Sequence, residues 1–239
     1  MLAIISIHPN TMALISLVVT LVGAGVSLLS WYNHRRSAGL PAWATTLLMS
    51  SAGTVLFILR GPESQYRFLL LLAGNSAFVA GYSWMWLSMR RSNDRSLTFE
   101  LMASITVAIT VVFAAVFTMG WQIAPGARGH TIVFSLLLCV LVSATAWETL
   151  RGRRIDGLQS RKIAGGAFVA IAVARLVRGG AFLAQGVGLL DPETALPLTS
   201  YTLYFMTVCI VVVTFGLVLM ANEQFERDYA EAIAAGSAR

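Results

Sequence analysis

The chain has 239 residues, of which 57% are hydrophobic and only 12% are charged, whereas about a quarter of the residues in an ordinary soluble domain are charged. This composition excludes an ordinary water-soluble fold and indicates a protein that contacts the lipid bilayer. The net charge of +6 resides in short basic clusters between long apolar runs, a pattern typical of topology signals and not of a nucleic-acid-binding face.

Seven apolar runs are each long enough to cross a bilayer, which takes about 20 residues. They predict an all-α, seven-transmembrane-helix bundle. Residues 1–221 are expected to form a sensory domain, and residues 222–239 a helical linker or stalk. In chain order the predicted helices span 11–33, 41–60, 66–89, 99–121, 131–150, 162–186 and 197–221.

The basic residues near the helix ends predict the direction of the helices, because positively charged loops stay in the cytoplasm. Twelve lie on one side of the predicted bundle and three on the other. We therefore expect the N-terminus outside and the C-terminus inside a bacterial cytoplasmic membrane. The twelve are Arg35, Arg36, Arg90, Arg91, Arg95, Arg151, Arg153, Arg154, Arg161, Lys162, Arg227 and Arg239, and the three are Arg60, Arg67 and Arg128.

The sequence offers few groups for catalysis or cofactor binding. The last predicted helix, 197–221, has no lysine for a retinal Schiff base. The histidines His8, His34 and His130 are scattered and accompany no metal-binding motif. We predict no catalytic residue, no metal and no cofactor, and therefore no enzyme within these residues.

Helix six contains two arginines within its apolar run, Arg175 and Arg178. A charge near the bilayer centre is costly, so such residues usually face the bundle interior or water. One hypothesis is that both line an outward-opening pocket for an anionic, polar-headed or lipid-like ligand. The alternative is structural, with Arg178 reaching the outer headgroups and Arg175 bonding to backbone carbonyls or to Asn75.

Three further residues are predicted to lie at a depth similar to that of the two arginines. They are Asn75 of helix three and Tyr201 and Tyr204 of helix seven, counted inward from the outer helix ends. We predict that all five side chains form the ligand-binding site.

Helix seven is expected to continue past the membrane, because Val218, Asn222, Phe225, Tyr229 and Ala232 follow a heptad-like spacing. Asn222, Phe225 and Tyr229 are the predicted signal-relay residues of a stalk that forms a homodimer. A frayed amphipathic helix end is the alternative, since two heptads are too short to be stable alone.

Several segments together resemble the N-terminal membrane regions of bacterial diguanylate cyclases that carry a C-terminal GGDEF domain. The similarity lies in GNSAFVAGYSWMWLSMRR at 74–91, WETLRGRR at 147–154, ARLVRG at 174–179 and TFGLVLMANEQFER at 214–227. The resemblance implies a sensory input region for cyclic di-GMP signalling. The sequence has no GGDEF motif, so we expect either an excised input module or a stand-alone relative.

The resulting prediction is a membrane sensor that passes a signal through helix seven to a cytoplasmic output. Two alternatives remain. A small transporter would also need polar groups inside the membrane, and a structural anchor or dimerisation scaffold would not need the arginines of helix six.

Overall fold

The computed structural model describes residues 9–33, 39–60, 65–94, 96–123 and 129–237, and these contain seven α-helices and no strand. All seven are long and apolar enough to cross a membrane, which confirms the predicted all-α, seven-helix architecture. The helices are α1 Pro9–Asn33, α2 Gly39–Leu59, α3 Arg67–Asn93, α4 Phe99–Ile123, α5 Gly129–Asp156, α6 Arg161–Gly186 and α7 Pro192–Ser237.

Helices α1 to α6 have 21 to 28 residues, which gives lengths of about 31 to 42 Å at 1.5 Å per residue. Each can cross a hydrocarbon core of about 30 Å. Helix α7 has 46 residues and is about 69 Å long by the same rise. It therefore extends beyond the bundle as one continuous helix.

Six helices form a closed ring in the order α1, α2, α3, α5, α6, α7, and α7 packs back against α1. Helix α4 lies outside the ring against α3 and α5. Only 22% of its most apolar window is buried, the lowest share of the seven. Most of α4 is therefore free to contact lipid.

Successive helices run in opposite directions, so the bundle has two distinct ends. We call the end where α1, α3, α5 and α7 begin the N-terminal end, and the opposite one the stalk end. Gly53 of α2 lies against Gly74 of α3, and at both positions an added Cβ would come within 3.1 Å of the other's carbonyl oxygen. The absence of side chains lets these two helices approach closely.

Trp43 of α2 is the central packing residue of the ring and is fully buried. Its ring makes edge contacts with Tyr82 of α3 and Phe168 of α6, with centroids 6.4 and 5.6 Å away. Its indole N–H donates a hydrogen bond of 2.9 Å to the hydroxyl of Thr214 in α7. Four helices thus meet at one side chain, in the half of the bundle nearer the stalk end.

Two helix boundaries differ from the prediction by five residues or more. Helix α5 continues to Asp156, because the arginines after Leu150 are good helix formers and do not end the helix. Helix α7 begins at Pro192, since proline is favoured in the first turn, where its missing N–H has no intrahelical partner.

Candidate functional site

A cavity of about 250 Å³ lies inside the ring in its N-terminal half. All six ring helices contribute to its wall, and α4 contributes none of the described lining. The polar lining side chains are Ser16 and Thr20 of α1, Ser50 and Thr54 of α2, Arg60 just after α2, Asn75 and Tyr82 of α3, His130 and Thr131 of α5, Arg175 and Arg178 of α6, and Thr207 of α7.

The charged groups of this cavity are of one sign. Arg60, Arg175 and Arg178 all line it, and no acidic residue is among its described lining. Arg60 lies at the N-terminal end, where partial burial and then the charge of nearby Arg67 lower the pKa of its guanidinium. Arg175 is buried, Arg178 is half-buried and Arg60 is exposed at the N-terminal end, so positive charge lies both inside the cavity and at its edge, an arrangement suited to an anion.

Arg175 is the most deeply placed of the three arginines, with only 6% of its surface exposed. Its guanidinium lies beside the hydroxyl of Tyr82 and 5.5 Å from the ring centroid of Phe134. Its Nε is buried and has no hydrogen-bond partner. A buried cationic donor without an acceptor is costly, so a bound anion would remove a penalty that the protein otherwise carries.

Arg178 lies one helical turn further toward the N-terminal end, on the same face of α6. Its Nε is likewise buried without a partner, and its guanidinium lies 5.9 Å from the ring of Phe182. The hydroxyl of Ser50, also in the cavity wall, is a third buried polar group without a hydrogen bond. Arg175, Arg178 and Ser50, each with a buried donor that lacks an acceptor, therefore all line the same cavity.

Asn75 is buried and lines the cavity as predicted, and its side-chain N–H donates a 2.8 Å hydrogen bond to the carbonyl of Leu71. Of the predicted structural alternative, one part, a bond between Asn75 and Arg175, is not found. Arg175 contacts Tyr82 and Phe134 instead.

The grouping of Tyr201 and Tyr204 with the arginines is wrong in its geometry. Both tyrosines are more than half exposed, at 55% and 56%, and neither lines the cavity. Their depth along α7 was inferred from residue counting, which says nothing about rotation around the helix axis. The face of α7 that meets the cavity carries Leu203, Met206, Thr207 and Ile210.

Aromatic rings make up much of the apolar wall. Phe134 packs edge-on against Phe78 at 6.0 Å and lies 6.2 Å from Phe113 of α4. Near the N-terminal end, the ring of His130 lies 5.1 Å from that of Trp121 and 5.4 Å from that of Phe117. The cavity therefore offers an apolar side as well as a cationic one.

Sequence reasoning missed Arg60, Tyr82 and Phe134. Arg60 counted only as a loop charge, although its position one residue after α2 allows its long side chain to reach back into the bundle. Tyr82 and Phe134 are aromatic residues within apolar runs, and nothing in a single sequence distinguishes such residues from ordinary core positions.

At the stalk end, α7 is attached to the start of α6. The carboxylate of Glu223 accepts hydrogen bonds of 3.1 Å from the backbone N–H groups of both Gln159 and Ser160, and one from the Ser160 hydroxyl. Gly157, with a φ of +70° that favours glycine, makes the preceding turn, and its carbonyl accepts a bond from Arg227. Glu223 thus caps the N-terminus of α6, where a negative charge is favourable.

Of the predicted relay residues, Asn222 lies directly before Glu223 in α7, and Phe225 and Tyr229 follow it. Phe225 and Tyr229 are 54% and 62% exposed, and their rings stack with centroids 6.4 Å apart. Asn222 is half-buried. Their roles in relay and dimerisation remain predictions.

A second polar cluster lies between α3, α5 and α6 near the stalk end. Glu148 and Arg161 are both buried. The Asn93 side chain donates to the Glu148 carbonyl at 2.7 Å and to its carboxylate at 3.1 Å, and Arg161 donates to the Thr149 carbonyl. The side-chain N–H of Asn93 and the guanidinium of Arg161 each bond to α5, whereas the Asn93 side-chain oxygen is buried without a partner; because acid, base and amide lie side by side here, we interpret the cluster as structural. The described residues include no group of three or more His, Cys, Asp or Glu side chains that could hold a metal.

Comparisons with protein families, with curated proteins and with solved structures gave no match to this chain. Its class is therefore defined by its architecture: a multi-pass membrane protein of seven helices with a cationic cavity inside the ring.

Proposed function

We propose that this chain is a sensory module of a bacterial cytoplasmic membrane, which binds a small anionic or polar-headed ligand in its N-terminal-end cavity and relays binding along α7. The observation that carries the proposal is the convergence of Arg60, Arg175 and Arg178 on one cavity without a lining acid in the described residues. A purely structural arginine would be expected to have its donors satisfied, whereas Arg175 and Arg178 each keep a buried Nε without an acceptor.

The size of the cavity limits the ligand. At about 250 Å³ it is slightly smaller than the roughly 300–1,000 Å³ of pockets that enclose drug-sized molecules. A compact anionic group, such as a carboxylate, phosphate or sulfate, fits both the volume and the planar donor geometry of two guanidinium groups.

A continuous set of contacts connects the cavity to α7 and supports the relay. Arg175 of α6 lies beside Tyr82 of α3, Tyr82 packs against Trp43 of α2, and Trp43 donates to Thr214 of α7. An anion that draws Arg175 away from Tyr82 would loosen this chain of contacts at its first link. Such a ligand shifts the conformation only by its differential affinity for the two arrangements.

The attachment at Glu223 converts a relative movement of α6 and α7 into a movement of the stalk. Because the carboxylate holds the two residues just before α6, Gln159 and Ser160, a shift of α6 would displace α7 or break these bonds. The exposed rings of Phe225 and Tyr229 lie just beyond and would meet a second copy in a homodimer. By the resemblance noted above, a cytoplasmic diguanylate cyclase is the proposed output, and no catalytic step is assigned to these 239 residues.

The first experiment is a thermal-unfolding screen of purified protein in neutral detergent, with acetate, phosphate and sulfate and with acetamide as an uncharged match for acetate. We expect at least one of the three anions to raise the unfolding temperature of the wild type. Arg175→Gln and Arg178→Gln should abolish the shift, and Arg90→Gln, an exposed arginine at the stalk end, should keep it.

Two results would count against the proposal. Equal stabilisation in all three variants would separate anion binding from the cavity, and a failure of all three anions to stabilise the wild type would remove the anion site. Accumulation of the stabilising anion in proteoliposomes would favour the transporter.

A further inference from the structure

A second apolar space lies directly behind the aromatic wall of the cavity. It is a groove of about 420 Å³ between α4 and α5, which we call the α4/α5 groove. Ala108, Val112, Phe113 and Val116 of α4 and Val133 and Leu137 of α5 line it. Helix α4 lies outside the ring, so the groove is on the lipid-facing side of the bundle.

Two rings separate this groove from the cationic cavity. Phe134 lines the cavity, Phe113 lines the groove, and their centroids are 6.2 Å apart. The guanidinium of Arg175 lies 5.5 Å from the ring centroid of Phe134. One pair of aromatic rings, Phe134 and Phe113, therefore separates the guanidinium of Arg175 from the apolar groove.

We infer that the ligand is a single-chain anionic amphiphile, with its headgroup at Arg175 and Arg178 and its hydrocarbon chain in the α4/α5 groove, which the chain enters when the ring of Phe134 or Phe113 turns aside. The inference rests on the proposed function and specifies the chemical class of the ligand. Charge complementarity selects the anionic head, and the groove, with an almost wholly apolar lining, accepts only hydrocarbon.

The size relation between the two spaces favours this occupant over a free anion. The cavity can enclose a compact headgroup but no long chain, whereas the groove has the larger volume and no described charged lining residue. Among the described residues α4 packs only against α3 and α5, which gives the chain lateral access from the bilayer.

The experiment uses the purified protein in neutral detergent with three probes. Myristate has both charge and chain, acetate has the charge alone, and myristyl alcohol has the chain alone. Ala108→Trp fills the α4/α5 groove, and Val107→Trp, at a neighbouring lipid-facing position 61% exposed, adds the same side chain outside it. Arg178→Gln removes one headgroup contact.

We expect myristate to raise the unfolding temperature of the wild type more than acetate or myristyl alcohol at equal concentration. Ala108→Trp should weaken the apparent affinity for myristate at least about tenfold relative to Val107→Trp, a difference well above the error of such titrations. Arg178→Gln should lose the advantage of myristate over the alcohol. Ala108→Trp should leave any acetate effect unchanged, which also shows that the variant is folded.

Each contrary result identifies what has failed. If acetate stabilises the wild type and myristate does no better, the cavity binds a free anion, and the amphiphile is wrong while the proposed function stands. If the alcohol equals myristate, or if the advantage of myristate survives in Ala108→Trp, the chain does not use the groove and the inference is overturned. If neither acetate nor myristate stabilises the wild type, the amphiphile is wrong, and the proposed function fails with it when phosphate and sulfate have no effect either.

Discussion

The contact between α6 and α7 gives the sharpest prediction for stability. Gly216 of α7 lies against Ala164 of α6 so closely that an added Cβ would come 2.8 Å from the backbone nitrogen of Ala164 and 3.0 Å from its Cα. Backbone atoms cannot turn aside as a side chain can. Gly216→Ala must therefore push the two helices apart.

The size of the effect follows from a matched substitution at Gly166 of α6. An added Cβ there meets nothing within 4 Å. Both changes replace a helical glycine by alanine, so the gain of about 1 kcal/mol in helix propensity is common to both and cancels in the comparison. What remains is the overpacking cost, typically about 1–3 kcal/mol.

The assay is reversible unfolding of both variants and the wild type in the same detergent. We expect the free energy of unfolding of Gly216→Ala to be lower than that of Gly166→Ala by about 1–3 kcal/mol. If Gly216→Ala proved as stable as Gly166→Ala, α6 and α7 would not be in close contact. The relay through that interface would then lose its structural basis.

Three further predictions concern the attachment of the stalk, the central tryptophan and the direction of the helices. Glu223→Gln should lower the free energy of unfolding by about 0.5–2 kcal/mol, because the negative charge at the N-terminus of α6 is lost. The control Glu226→Gln, at an exposed position on the same helix, should leave the free energy of unfolding unchanged. Equal losses in the two variants would contradict the role of Glu223 at α6. Thr214→Val should lower the free energy of unfolding by about 0.5–1.5 kcal/mol, because it removes the hydrogen-bond acceptor of the Trp43 indole. Thermal unfolding measures this loss, and an unchanged stability would contradict that bond. Single cysteines at Leu189 and at Asp94, in a background without Cys139 and Cys209, test the topology by labelling with a thiol reagent that does not cross the membrane. The cysteine at Leu189 should be labelled in intact cells and the one at Asp94 only after the cells are opened. Labelling of both from one side would refute the predicted topology.

The sequence was sufficient to predict the seven helices, because long apolar runs in a chain of this composition have few other uses. It was also sufficient to single out Arg175 and Arg178, since a charge within such a run needs a special environment. The helix boundaries at Asp156 and Pro192 differ from the predicted ones because arginine can continue a helix and proline can begin one. These preferences are small compared with the hydropathy pattern that set the predicted boundaries.

Contacts between helices far apart in the chain could not be predicted in the same way. Tyr201 and Tyr204 were placed with the arginines on depth alone, and the rotation of α7 turns both away from the cavity. The bond from Glu223 to the start of α6 joins residues more than 60 positions apart. Such pairings depend on how the helices pack, which periodicity along a single helix does not encode.

The most direct test of the account is the distance between α6 and the stalk with and without a bound anion. Spin labels at Lys162 and Glu226, both exposed, would report it in a cysteine-free background by pulsed electron paramagnetic resonance. We predict that an anion which stabilises the protein shifts the distance distribution, and that Arg178→Gln prevents the shift. An anion that stabilises the protein through Arg175 and Arg178 yet leaves the distribution unchanged would contradict a sensory role for the cavity.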